Sequence, residues 1–178
     1  MPELNAAVYD QRLVVKVTGI PAGTLQNWAN RGIVKLSVQN PGRQRRRFYS
    51  PLDMMKILAL FELTRVGLTT ARAAEFADTI VLREAQRIAE EIARGSTSGG
   101  KAAMGNGCRA TFFYQDGELQ VNVANNVKAH LLNAIASGLR QSLVTIELNV
   151  SNIVYHVYMK ILEESTENLH RDYPELDA

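Results

Sequence analysis

Val14 to Tyr49 reads VVKVTGIPAGTLQNWANRGIVKLSVQNPGRQRRRFY, and the order of its punctuation decides the fold. A short helix from Asp10, its N-cap, through Leu13, Val14 and Val17 ends at Thr18-Gly19, where glycine takes a left-handed conformation most easily. Pro21 opens a second helix to about Arg31, because the first helical turn loses nothing by lacking an N–H. The two helices are joined by almost nothing. Leu25 and Trp28, three apart, form the apolar back of the second helix and leave Thr24, Gln26, Asn27, Asn30 and Arg31 to face elsewhere. Gly32 stops it. Val34, Leu36 and Val38 then alternate as in a strand, Asn40-Pro41-Gly42 turns the chain, and Arg43, Arg45, Arg46 and Arg47 crowd the return of this β-hairpin before Phe48 and Tyr49. A polar helix beside a cationic ribbon is suited to entering a major groove and gripping phosphates.

The same residues carry a resemblance. In the order Gly19-Ile20, Thr24-Leu25, Trp28, Arg31-Gly32, Gly42, Arg47-Phe48-Tyr49-Ser50 and Leu52-Asp53-Met54, the chain resembles the winged helix-turn-helix domain of the MerR family of bacterial transcription regulators. The likeness runs on through Ile57, Leu60 and Leu63 to Val66-Gly67-Leu68-Thr69, which is similar to the segment joining that family's last two DNA-domain helices, and it covers roughly residues 10 to 78. The chain departs from the family at Gln26 and Asn27, where Arg and an aromatic are usual, so the family's usual backbone contacts and target sequence are not carried over. Excisionase-type helix-turn-helix proteins vary at the same positions and supply the alternative reading, a protein that bends DNA for a recombinase.

The whole chain sets the bounds. With 178 residues, 46% of them apolar, it can build one ordinary domain or two small ones. It has no apolar run approaching about 18 residues and no charged-then-apolar leader, so neither a membrane span nor export is expected, and the expected location is cytoplasmic, at the nucleoid. Cys108, alone, forms no internal disulfide or thiolate cluster, which sets the chain apart from MerR proteins that sense metals through several cysteines. The net charge of +2 conceals a division: residues 1–72 hold 11 Lys and Arg against 4 Asp and Glu, whereas residues 73–178 hold 9 against 14. A basic half followed by an acidic one marks a nucleic-acid module joined to a part that does not touch nucleic acid.

Residues 1–9 lead in loosely, with Val8 and Tyr9 able to pack on the first helix. Beyond the hairpin, Ser50-Pro51-Leu52-Asp53 is a helix start, with Met54, Ile57, Leu58, Phe61 and Val66 as the buried stripe of a helix to about Arg65. Gly67 breaks it, and Thr69 or Thr70 caps another through Ala73, Ala74, Phe76 and Ala77. From Thr79 to Arg94 a further amphipathic pattern, with Val81, Leu82, Ala85, Ile88, Ala89 and Ile92, either packs on the carboxyl-terminal part or meets its copy in a second subunit; the resemblance favours the second role. Gly95 to Gly107, GSTSGGKAAMGNG, reads as a flexible linker. Gly95 and Gly100-Lys101 have phosphate-loop spacing, but Ala102 replaces the hydroxyl that would hold magnesium, and a helix precedes the segment where a strand should. Two alternating runs, Arg109–Gln115 and Glu118–Val123, flank Asp116-Gly117 as a hairpin. A helix from Asn126 through Val127, Leu131, Leu132, Ile135 and Leu139, a strand over Leu143–Leu148 and a helix from Ser151 complete a ββαβα unit whose expected packing partner is its own copy.

The expected fold is therefore α+β: residues 1–78 a winged helix-turn-helix domain, 79–94 a connecting or dimerisation helix, 95–107 the linker and 108–178 the ββαβα dimerisation or sensor domain. The expected function is sequence-specific recognition of double-stranded DNA by a homodimeric transcription regulator on a roughly palindromic operator, with RNA polymerase, or for the alternative a recombinase, as further partner. Thr24, Gln26, Asn27, Asn30 and Arg31 are the expected groove-facing residues, Gln and Asn being suited to bidentate adenine contacts. Arg43, Arg45 and Arg46 are assigned to phosphates, Arg47 partly to anchoring the wing, and Tyr49 to both packing and a phosphate hydrogen bond. Trp28 is read as core. His130, His156 and His170 lack ligand spacing, Cys108 has little to favour its thiolate, and Glu84, Glu90, Glu91, Glu163 and Glu164 are read as lying on charged helix faces. No cofactor, metal or catalytic constellation is expected.

Overall fold

The computed structural model describes residues 4–36, 46–93, 108–115, 118–124 and 146–172. Helix α1 (Gln11–Thr18) begins where Asp10 accepts a hydrogen bond from the Leu13 N–H at 3.0 Å and ends at Gly19, whose φ of 68° puts it in the left-handed region. The Thr18 hydroxyl donates to the Val14 carbonyl at 2.7 Å and accepts from the Ile20 N–H at 3.4 Å, so the tight turn satisfies its own polar groups. Helix α2 (Ala22–Asn30) follows, with Pro21 at its N-cap position. It closes at Gly32 (φ 63°), and the Ile33 N–H reaches back to the Trp28 carbonyl at 3.0 Å, a Schellman-type stop.

Helix α3 (Pro51–Arg65) starts in a reciprocal capping box: the Asp53 N–H donates to the Ser50 hydroxyl at 3.1 Å and the Ser50 N–H to the Asp53 carboxylate at 2.8 Å. Gly67 (φ 99°) ends it, with the Leu68 N–H on the Leu63 carbonyl at 3.1 Å. Helix α4 (Thr70–Ala93) is one uninterrupted helix where the sequence suggested two pieces meeting near Thr79. No Gly or Pro lies between Thr70 and Ala93, so no residue there stops the first helix before the second pattern begins.

Three strands, β1 (Arg109–Gln115), β2 (Glu118–Ala124) and β3 (Ile146–Asn149), form an antiparallel sheet in the order β2-β1-β3. Gln115 pairs with Glu118 across the Asp116-Gly117 position, the register a two-residue hairpin requires. Helix α5 (Val150–Asp172) closes the described chain. Its first N–H groups are all met: Val150 and Ser151 donate to the Cys108 carbonyl, and Asn152 to the Asn149 side chain at 3.0 Å. The helix expected from Asn126 lies outside the described residues, so the sheet and α5 are seen but not the full ββαβα unit.

Two expectations are corrected. The carboxyl-terminal part was expected to find its packing partner in a second copy, yet α5 packs on α1, α3 and α4 of its own chain. Val150, Ile153, Val154, Val157 and Ile161 of α5, with Cys108 and Ala110, belong to the same core as Val14, Leu25, Met54 and Leu63. The lead-in is not loose either: Tyr9 and Tyr49 exchange backbone hydrogen bonds at 3.1 and 2.8 Å, and the Leu52 N–H donates to Leu4. This strap fixes the arm leaving the wing against the start of α3. Val34 and Leu36 are buried but form no strand among the described residues, and residues 37–45 of the expected hairpin lie outside them.

Candidate nucleic-acid interface

The placement of α2 follows from its apolar back. Leu25 and Trp28 are buried, and Trp28 meets Phe61 of α3 edge to face, with ring centroids 6.4 Å apart and planes at 62°. The Arg65 guanidinium covers the Phe61 ring at 5.9 Å. With that side fixed, Gln26, Asn27, Asn30 and Arg31 stand exposed and Thr24 half-buried. The outward face of α2 is therefore polar, with its one formal charge just past the helix end.

Beside this face runs the arm leaving the wing. Arg46 is exposed and Arg47 half-buried, whereas Arg43 and Arg45 lie outside the described residues. Arg47 Nη1 donates to Asn30 Oδ1 at 2.9 Å, so α2 and the segment leading into α3 are joined through two residues separately expected to touch DNA. Tyr49 is corrected: at 0% exposure its ring is core, and its hydroxyl lies within the protein, where it meets no partner among the described residues. Burial raises its pKa, with Asp53 adding to the rise and Arg47 opposing it. A phosphate contact from this hydroxyl is thus removed from the reading.

An open cleft of about 470 Å³ is lined by residues 31–35 and by side chains of α3 and α4, among them Lys56 and Asp78, an ion pair at 2.5 Å. Farther along α4, Glu84 is only 1% exposed although the sequence reading put it on a charged face. Arg87 holds its carboxylate through Nε at 2.8 Å and Nη2 at 2.7 Å, and the Ser151 hydroxyl donates to it while accepting from the Cys108 N–H at 2.6 Å. The signal was present: Glu84 lies three residues after Val81 and four before Ile88, on the apolar stripe itself. Burial, then the adjacent Glu84, push the Cys108 thiol up to about 12, so it is no ready thiolate. His156 sits 3.0 Å from the Val17 carbonyl, and Lys16 pairs with Glu164, tying α5 to α1.

Among the described residues no His, Cys, Asp and Glu group has the makings of a metal site, and no helix is long and apolar enough to cross a membrane. The phosphate-loop near-match lies outside them. Among curated proteins none matches the chain. Residues 12–79 match the family described as MerR HTH family regulatory protein, a span that begins inside α1 and ends inside α4 and covers under half of the chain. With the tight helix pair, the outward polar face and the glycine-closed helix ends all falling within it, this span is a MerR-family helix-turn-helix domain.

Proposed function

We propose that the chain is a sequence-specific regulator of transcription that binds duplex DNA as a homodimer on a roughly palindromic site, with RNA polymerase as its further partner. One observation carries the reading: the exposed, uncharged polar face of α2 stands beside the arginine-bearing arm of the wing. Two copies would put their α2 helices into successive major grooves and bend or twist the DNA between them. Thr24, Gln26 and Asn27, toward the amino-terminal part of α2, meet base edges; Arg31, Arg43, Arg45 and Arg46 meet phosphates. The acidic carboxyl-terminal part acts as dimer interface or sensor, and the protein works in the cytoplasm at the nucleoid.

Selection of bound genomic DNA with the purified chain, read together with its mass in solution, tests this. A symmetric site at promoters and a dimeric mass are expected. Tandem sites beside a recombination junction would favour the excisionase role, and indifference to every duplex at low salt would end the reading.

A further inference from the structure

Asn30 and Arg47 are 17 residues apart in sequence and joined by one hydrogen bond, Arg47 Nη1 to Asn30 Oδ1 at 2.9 Å. Asn30 is the last residue of α2, whereas recognition helices read bases mainly with their amino-terminal residues. A bidentate adenine contact also needs both the amide oxygen and the amide nitrogen, and here the oxygen already accepts from a cation. As a base reader, Asn30 is badly placed and half occupied.

Arg47 is held from two directions. Two residues on, Tyr49 is locked to Tyr9 by a pair of backbone hydrogen bonds and lies fully buried, which fixes the arm. At its far end the guanidinium rests on Asn30. One of its five N–H groups is used there, and a planar fork fixed at one corner has its other N–H groups preset for an oxyanion. We infer that Asn30 is a positioning residue: it does not read a base but holds the Arg47 guanidinium as a preset clamp for one DNA phosphate, locking wing and recognition helix into one register on the duplex. This rests on the DNA-binding reading above.

The test uses the full chain and a duplex of random sequence, titrated at several salt concentrations, with thermal melts of each variant. Arg47→Ala weakens binding about ten-fold, the size of one charge-assisted hydrogen bond, and lowers the salt slope by about one. Asn30→Ala weakens it about five-fold although no base is being read, since the clamp loses its hold. The double variant is no weaker than Arg47→Ala alone, because both act through one contact. Asn30→Asp keeps the side-chain volume but sets a carboxylate on the guanidinium, so the slope again falls by about one while Arg47 remains. The melts stay together, because the hydrogen bond lies at the surface.

Wild-type affinity for random duplex in Asn30→Ala overturns the inference, and so do losses that multiply in the double variant. An Arg47→Ala chain that melts early but keeps its salt slope would make the pair a brace for the wing and overturn it as well. If the wild-type chain binds no duplex at all, the DNA-binding reading itself falls and takes this inference with it, an outcome distinct from any of the variant results.

Discussion

Gly23 stands exposed in the first turn of α2, and a methyl group built there meets nothing within 4 Å. Gly23→Ala should therefore stabilise the free protein by about 0.5 kcal/mol, by removing freedom from the unfolded chain. In the proposed complex, with the amino-terminal part of α2 in the groove, the same methyl crowds the duplex, so affinity should fall while the melting temperature rises. Opposite signs in the two titrations are the expected result. Cys108 makes a second prediction at this scale. Its thiol keeps its proton to about 12 in the folded chain against an ordinary 9.0, so stability is intact below about pH 9 and declines from there toward pH 12, as the unfolded state releases the proton first. Tyr9 and Tyr49, both raised above 10.0 by burial, deepen the decline at higher pH. Urea midpoints from pH 8 to 10 should fall less in Cys108→Ala than in the wild type. The residues flanking Tyr49 made it look available to phosphate, and burial was not legible there. An aromatic before a helix start has the same spelling whether it faces in or out, and only the backbone pairing with Tyr9, forty residues upstream, turns it inward.

Local signals decided the elements that the sequence made legible. Asp10, Gly19, Gly32, Ser50 with Asp53, and Gly67 each act within one turn of their own position, and each caps or closes the helix it was expected to. What escaped depended on packing between elements. Glu84 was assigned to solvent because it is charged, although its position on the stripe of α4 put it inside, and its partners Ser151 and Cys108 come from elements far along the chain. Removing the Glu84 carboxylate, 1% exposed, takes away the acceptor of the buried Ser151 hydroxyl and leaves a void in the packed core. Glu84→Ala should lower stability by about 3 kcal/mol, and Glu84→Gln, which preserves the volume and one hydrogen-bond acceptor, by less. Denaturant midpoints of the two variants check the order; equal midpoints for Glu84→Ala and the wild type would remove this cluster from the account of how β1 and α5 are held to α4.

Across the whole molecule, composition foretold a basic half and an acidic half but not that the two share a core. Alternation and helical spacing show which face of an element is apolar; they carry no information on which neighbour covers it, so α5 was given to a second subunit when it lies on α1, α3 and α4. Trp28, the only tryptophan, sits in α2 and reports on the DNA-binding end. Ile161→Ala in α5 should destabilise by about 3 kcal/mol, and the loss should show in Trp28 fluorescence and in far-ultraviolet dichroism at the same denaturant concentration. A Trp28 transition left in place would mean two cores after all. The continuity of α4 has a mechanical consequence. From Thr70, inside the helix-turn-helix domain, to Glu84, where the sheet and α5 attach, the helix spans about 21 Å without a joint, so a tilt of about 5° imposed at the far end swings the near end by about 2 Å. Because α4 shares one core with α3 and α5, a small rearrangement of the sheet reaches the helix-turn-helix end as a shift of the packed helices together, over about half the height of a base-pair step.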